Sequence, residues 1–106
     1  MRLLCNEAEL NDFIADNDNA LVYFSNNDGV CSDIRDSMNT LEAQYENVAV
    51  CEINLLGLKN IKEVEAVYDI YTLPISLFFK GGKEVFRASK YVDLNEIKND
   101  IEKYLK

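Results

Sequence analysis

The chain has 106 residues, a formal net charge of −8, three cysteines, one proline, and neither histidine nor tryptophan. That length fits one domain, residues 1–106, and 48% hydrophobic against 28% charged residues suffices to bury a core. The composition excludes Ser-His-Asp or Cys-His catalysis, histidine metal sites, a four-thiolate metal site within one chain and a disulfide-stapled fold, and the charge argues against nucleic acid as a partner.

At the N-terminus the apolar run Leu3-Leu4-Cys5 is too short for a secretory signal peptide or lipoprotein leader. No apolar stretch approaches the ~20 residues that cross a bilayer. No membrane partner is therefore expected. A cytoplasmic location is, because an odd number of reduced thiols is ordinary there.

Asn6 with Glu9 has the spacing of an N-cap and its N3 partner, and Leu10, Phe13 and Ile14 continue at helical spacing. Ala20 to Phe24 is a continuous apolar run of strand length, suited to a strand covered on both faces. Polar turn residues lead to a longer helix whose inward stripe is Cys31, Ile34, Met38, Leu41 and Tyr45. Val48 to Ile53 reads as a second buried strand. A third helix carries Ile61, Val64 and Tyr68 inward, with Lys62, Glu63 and Glu65 toward water. Leu73-Pro74 precedes a third strand, Ile75 to Phe79. Gly81-Gly82 is a turn signal and residues 83–88 form its hairpin partner. Asp93 with Glu96 repeats the capping pattern before a final helix with Leu94, Ile97, Ile101, Tyr104 and Leu105 on its apolar face.

The expected order is α-β-α-β-α-β-β-α. Strand–helix–strand units call for parallel pairs with right-handed crossovers, and the Gly-Gly turn for an antiparallel pair. The fold class is thus α/β, a small mixed sheet (βαβ plus ββα) with helices on both faces. Sites in such sheets gather at the carboxyl ends of parallel strands, which singles out residues 25–30 and the start of the second helix.

Tyr23-Phe24-Ser25, Val30-Cys31, Thr72-Leu73-Pro74, the segment Phe79 to Val85 and the final capped helix together resemble the thioredoxin family of bacteria and archaea. The resemblance runs from about Asn6 to Leu105. It implies the thioredoxin fold, a place in thiol–disulfide exchange and cell redox homeostasis, no cofactor and no metal. It also implies a cis bond at Leu73-Pro74, facing a C-x-x-C motif at the start of the second helix. The matching tetrad here is Asp28-Gly29-Val30-Cys31: the resolving cysteine is present, but aspartate stands where the nucleophile belongs. Gly29, Val30, Leu73 and Pro74 are the positions the resemblance assigns to contact with an extended peptide.

An aspartate before a helix accepts the same N–H hydrogen bonds as a thiolate, so Asp28 can cap the helix while abolishing the attack. Its charge near Cys31 disfavours a thiolate, and burial would act the same way, so Cys31 is expected to be a poor nucleophile. Each residue also has a structural reading: Asp28 as a helix cap, Cys31 and Cys51 as small core residues, Cys5 as an exposed terminal thiol open to intermolecular disulfides. Asp16, Asp18, Asp33 and Asp36 read as solvated surface that weakly favours basic partners. The best-known members of the family carry a Trp before the motif and a buried acid in the first strand, though many relatives lack the Trp. This chain has no Trp, and Tyr23, titrating near ~10 when unperturbed, takes the approximate place of the acid.

Two functions compete. One is a binding module that keeps the peptide groove without the chemistry and takes an extended partner segment by β-addition at Leu73. The alternative is a residual monothiol oxidoreductase (protein-disulfide reductase type) using Cys31, with Cys5 or a small thiol resolving. A monothiol metal or glutathione site of glutaredoxin type would need the first cysteine of the motif rather than the second.

Overall fold

The structure of the protein, a computed structural model, describes residues 1–26, 30–89 and 94–105; at residues 30–33 and 94 the description is of backbone alone. In chain order the elements are β1 (Arg2–Leu4), α1 (Glu7–Asp16), β2 (Asn19–Ser25), α2 (Val30–Gln44), β3 (Ala49–Asn54), a 3-10 turn (Leu55–Gly57), α3 (Ile61–Val67), β4 (Ile75–Lys80), β5 (Lys83–Ser89) and α4 (Leu94–Leu105). Among the described residues the five strands form one mixed sheet in the order β1-β3-β2-β4-β5. β3 runs parallel to both β1 and β2, whereas β4 is antiparallel to β2 and β5 to β4.

β2 is the central strand, and Ala20 to Ser25 are all buried. Its alternation divides the core in two. Ala20, Val22 and Phe24 pack with Cys51, Ile53, Leu77 and Phe79 under α1 and α3, which supply Leu10, Phe13, Ile14 and Val64. Leu21 and Tyr23 pack with Val50 and Phe78 under α2 and α4, which supply Ile34, Met38, Leu41, Ile97 and Ile101. A continuous apolar run is what a strand between two helix layers requires, since each side chain buried in full contributes about 1.5–3 kcal/mol.

The sequence pattern omits β1. Its three residues are too few for an alternation, yet they pair with β3 from Arg2↔Cys51 to Leu4↔Ile53 and place Leu4 in the core. A second difference concerns the third helix. It was expected to join parallel strands, but β4 is antiparallel to β2 and hence to β3. The reason is length: α3 has seven residues and spans about 10 Å at 1.5 Å per residue. It stays at the end of the sheet where β3 finishes, and the chain enters β4 from that end, with Ile75 opposite Phe24.

Local signals account for the remaining boundaries. Asn6 Oδ1 accepts the Glu9 N–H at 2.9 Å as the N-cap of α1. The reciprocal bond is displaced by one residue, the Cys5 N–H donating to Glu9 Oε1 at 2.9 Å. Gly81 and Gly82 have φ of 59° and 83°, the two left-handed residues of a tight hairpin, and the Gly81 N–H donates to the Asp18 carbonyl at 2.8 Å. Before the turn, a bulge at Phe78/Phe79 adjusts the β4–β5 register, and Phe78 stacks on Phe86 with ring centroids 5.1 Å apart. Asp93, the expected cap of α4, lies outside the described residues. Tyr45 falls one residue past α2, where its hydroxyl donates to Glu102 Oε1 at 2.9 Å.

Candidate functional site

The parallel strands β1, β3 and β2 end together at Leu4, Asn54 and Ser25. At this carboxyl rim the chain leaves β2 and enters α2, and β4 begins beside it. Of the residues singled out from the sequence, Asp28 and Gly29 lie outside the described residues. Val30 opens α2 and Cys31 is its second residue; the description there is of backbone alone. Pro74 is buried, Leu73 is partly buried against the core, and the bond between them is cis. Because Ile75 pairs with Phe24, Pro74 lies alongside the end of β2, where the chain departs for α2. Leu73-Pro74 and the start of α2 thus meet the same end of one strand.

The approach to that proline is anchored from the far strand. Arg87 of β5 donates from Nη1 to the Asp69 carbonyl at 2.8 Å and from Nη2 to the Tyr68 carbonyl at 3.0 Å. Its other bonds go to Glu84, at 2.6 Å from both Nε and Nη2. Asp69 has a φ of 53°, a left-handed turn that redirects the chain after α3. Beyond this corner Tyr71 is 86% exposed, an unusual setting for a large aromatic side chain.

Tyr23, in the place expected of the family's acid, is fully buried on the α2 side. The buried carboxylate sits instead on the neighbouring strand, at Glu52, which pairs with Tyr23 in register. Glu52 is 3% exposed. Arg35 of α2 donates to it from Nε to Oε1 at 2.6 Å and from Nη2 to Oε2 at 2.8 Å, and the Ser25 hydroxyl donates to Oε2 at 2.6 Å. Burial pushes the Glu52 carboxyl up, but the hydrogen bonds from Arg35 and Ser25 and the guanidinium charge outweigh it and hold the group below the ordinary glutamate range. Sequence reasoning missed this cluster. The available signal was one acid inside the otherwise apolar run Ala49-Val50-Cys51-Glu52-Ile53, together with a cation on the helix that crosses over it.

The other thiols divide clearly. Cys51 is fully buried, and burial pushes its thiol far up despite the nearby Arg2 charge. Cys5 is free and exposed. Asp16, Asp18 and Asp36 are exposed, while the Asp33 side chain lies outside the described residues. Among the described residues no group of three His, Cys, Asp or Glu side chains could hold a metal ion, and no helix is long and apolar enough to cross a membrane.

No family model and no curated protein matches the sequence. Solved structures match over almost the whole chain. A single-site mutant of the thioredoxin from Halobacterium salinarum superposes with a TM-score of 0.87 at 24% identity, covering 99% of this chain and 90% of that one. Plasmodium falciparum thioredoxin gives 0.85 at 21% identity, covering 98% and 99%. Fasciola hepatica thioredoxin gives 0.83 at 25%, covering 97% and 98%. The fold is the thioredoxin fold. Within it, the end of β2, the first turn of α2 and the Leu73-Pro74 bond lie at one rim of the sheet.

Proposed function

We propose that the chain is a thioredoxin-like module of the thiol–disulfide family whose Asp28-Gly29-Val30-Cys31 site has lost its nucleophile, and that it binds extended peptide segments with little or no redox turnover. The observation that carries this reading is the thioredoxin fold with α2 opening at Val30-Cys31 and an aspartate three residues before that cysteine. Disulfide exchange needs a thiolate that can attack first, and Asp28 cannot do so. The groove is a separate matter from the chemistry. Among the described residues Leu73 pairs with no strand, which leaves room in this reading for an added strand there, and Tyr71 offers an exposed aromatic surface two residues away. The charge of −8 favours basic segments. A cytoplasmic location belongs to the same proposal and is supported by the odd cysteine count.

A protein-disulfide reduction assay on the wild type, Cys31→Ser and Asp28→Cys tests this. Turnover is expected only in Asp28→Cys, where the scaffold regains a dithiol pair. Efficient wild-type turnover that disappears in Cys31→Ser would replace the binding module with the monothiol oxidoreductase.

A further inference from the structure

Glu84 and Arg87 are three residues apart on β5, a separation that in a regular strand puts side chains on opposite faces. The bulge removes that difference. Glu84 stands opposite Phe79 and Phe86 opposite Phe78, so Val85 is the extra residue. Val85 and Phe86 both pack toward α2 and α4, while Glu84 and Arg87 stand opposite Phe79 and Leu77, which face α1 and α3. One inserted residue thus lets an acid and a cation of the edge strand pair beside the end of α3.

What the pair holds is the chain on its way to the groove. α3 has no basic residue in its last turn, and Tyr68 is its C-cap. Arg87 supplies the missing cation from outside the helix, donating to the Tyr68 and Asp69 carbonyls. Glu84 accepts from Nε and from Nη2, so four bonds in all fix the plane of the guanidinium. At this corner Asp69 is left-handed, and the Ile70 N–H donates back to the Glu65 carbonyl at 2.8 Å. Tyr71 and Thr72 are then exposed, and the chain is buried again only at Pro74, one residue before β4. Leu73 therefore lies between two anchors, the corner held by Arg87 and the start of β4.

We propose that Arg87, oriented by Glu84, is a positioning residue for peptide binding: it fixes the corner from which Tyr71-Thr72-Leu73 is presented to the incoming segment. This role rests on the proposed strand addition at Leu73. A backbone ordered in advance takes up a partner strand without the entropy loss of ordering it during binding. The guanidinium suits the task because its planar fork reaches two carbonyls and a carboxylate at once. A lysine ammonium is a point charge on a flexible stem and does not hold the three in one plane. At 32% exposure each, Arg87 and Glu84 can be exchanged without opening the core.

The probe is reduced, carbamidomethylated lysozyme, an unfolded basic chain. Calorimetry measures its affinity for the wild type, Arg87→Lys and Glu84→Gln, and hydrogen exchange follows the amides of Tyr71 to Leu73 with and without it. The wild type should bind, and the probe should slow exchange at Leu73. Arg87→Lys should weaken binding about tenfold, the equivalent of returning about one residue of backbone freedom to the free chain. In the absence of probe its exchange should quicken at Tyr71 to Leu73 and not across the sheet. Glu84→Gln, which keeps an acceptor but not the charge, should act in the same direction to a smaller degree, and it carries the test if Arg87→Lys unfolds. A wild type that does not bind the probe, or binds it without protection at Leu73, would overturn strand addition there and with it the role of Arg87. Protection at Leu73 together with wild-type affinity in Arg87→Lys and Glu84→Gln would overturn the role of Arg87 alone, even where their urea midpoints fall.

Discussion

Arg35→Met should reverse the way in which Glu52 links stability to pH. In the wild type the Glu52 carboxyl is held below the ordinary range, mainly against the effect of its own burial. Such a group contributes stability that is fully present above the ordinary glutamate pKa of about 4.3 and is lost as pH falls through the lower folded value. Without Arg35, only the Ser25 hydroxyl remains of the bonds that favour the charged form, and burial at 3% exposure becomes the larger influence. The folded pKa then lies above the unfolded one, so stability is lost as pH rises through that window. Removing one partner of a buried pair typically costs about 3–5 kcal/mol; because Arg35 is 43% exposed and partly solvated, about 2 kcal/mol is expected near neutral pH. Urea unfolding of the two chains between acid and neutral pH measures the difference, and the other carboxylates cancel in it. The gap should be smallest where Glu52 is protonated in both chains and widen as pH rises. A gap that stays constant with pH, or one below about 0.5 kcal/mol throughout, would refute the assignment of Glu52 as a buried charge held by Arg35. Adding Glu52→Gln to the variant should remove the pH dependence of the gap.

Other consequences can be measured directly. DTNB should label Cys5 at once in the native protein and Cys51 only on unfolding, since burial holds the Cys51 thiol protonated. Cys31 should label slowly, and Asp28→Asn should speed it by removing the carboxylate charge. Asn6→Ala should cost about 1 kcal/mol in urea unfolding through loss of the Glu9 N–H acceptor at the start of α1. At Gly82 an added Cβ meets nothing within 4 Å, so Gly82→Ala should cost about 1–2 kcal/mol from the φ of 83° alone, read as a lower midpoint with unchanged slope.

The legible parts of this fold are those where a chain pattern and a tertiary need coincide. The run Ala20 to Phe24 is apolar throughout because β2 lies between two helix layers, and Gly81-Gly82 turns because both residues must be left-handed. β1 was not legible because pairing with β3 holds it, and three residues carry no period of their own. The direction of β4 was not legible either, since it depends on how little distance the seven residues of α3 cover. At the site, the resemblance marked Leu73-Pro74 and the tetrad Asp28-Gly29-Val30-Cys31 by position. Glu52 was hidden for a different reason. A strand acid can face water or a cation on a helix, and only the register of β3 with β2 and the crossing of α2 bring Arg35 within 2.6 Å of it.

That register also bears on the chemistry. Proton transfer to and from a thiol at neutral pH needs a group whose pKa lies near the working pH. Tyr23 offers only a phenol, a group whose unperturbed pKa near ~10 is far from the working pH. Its neighbour Glu52 errs in the other direction: two bonds from Arg35 and one from Ser25 hold its carboxyl below the ordinary glutamate range and take three of its roughly four lone-pair sites. Raising its pKa to a useful value would mean giving up Arg35, and with it the pairing that makes a buried charge tolerable. The buried charge of this fold is therefore arranged to join α2 to β3. With neither Tyr23 nor Glu52 suited to move that proton, the interior of the sheet lends support to the proposal of a peptide-binding module over that of a disulfide exchanger.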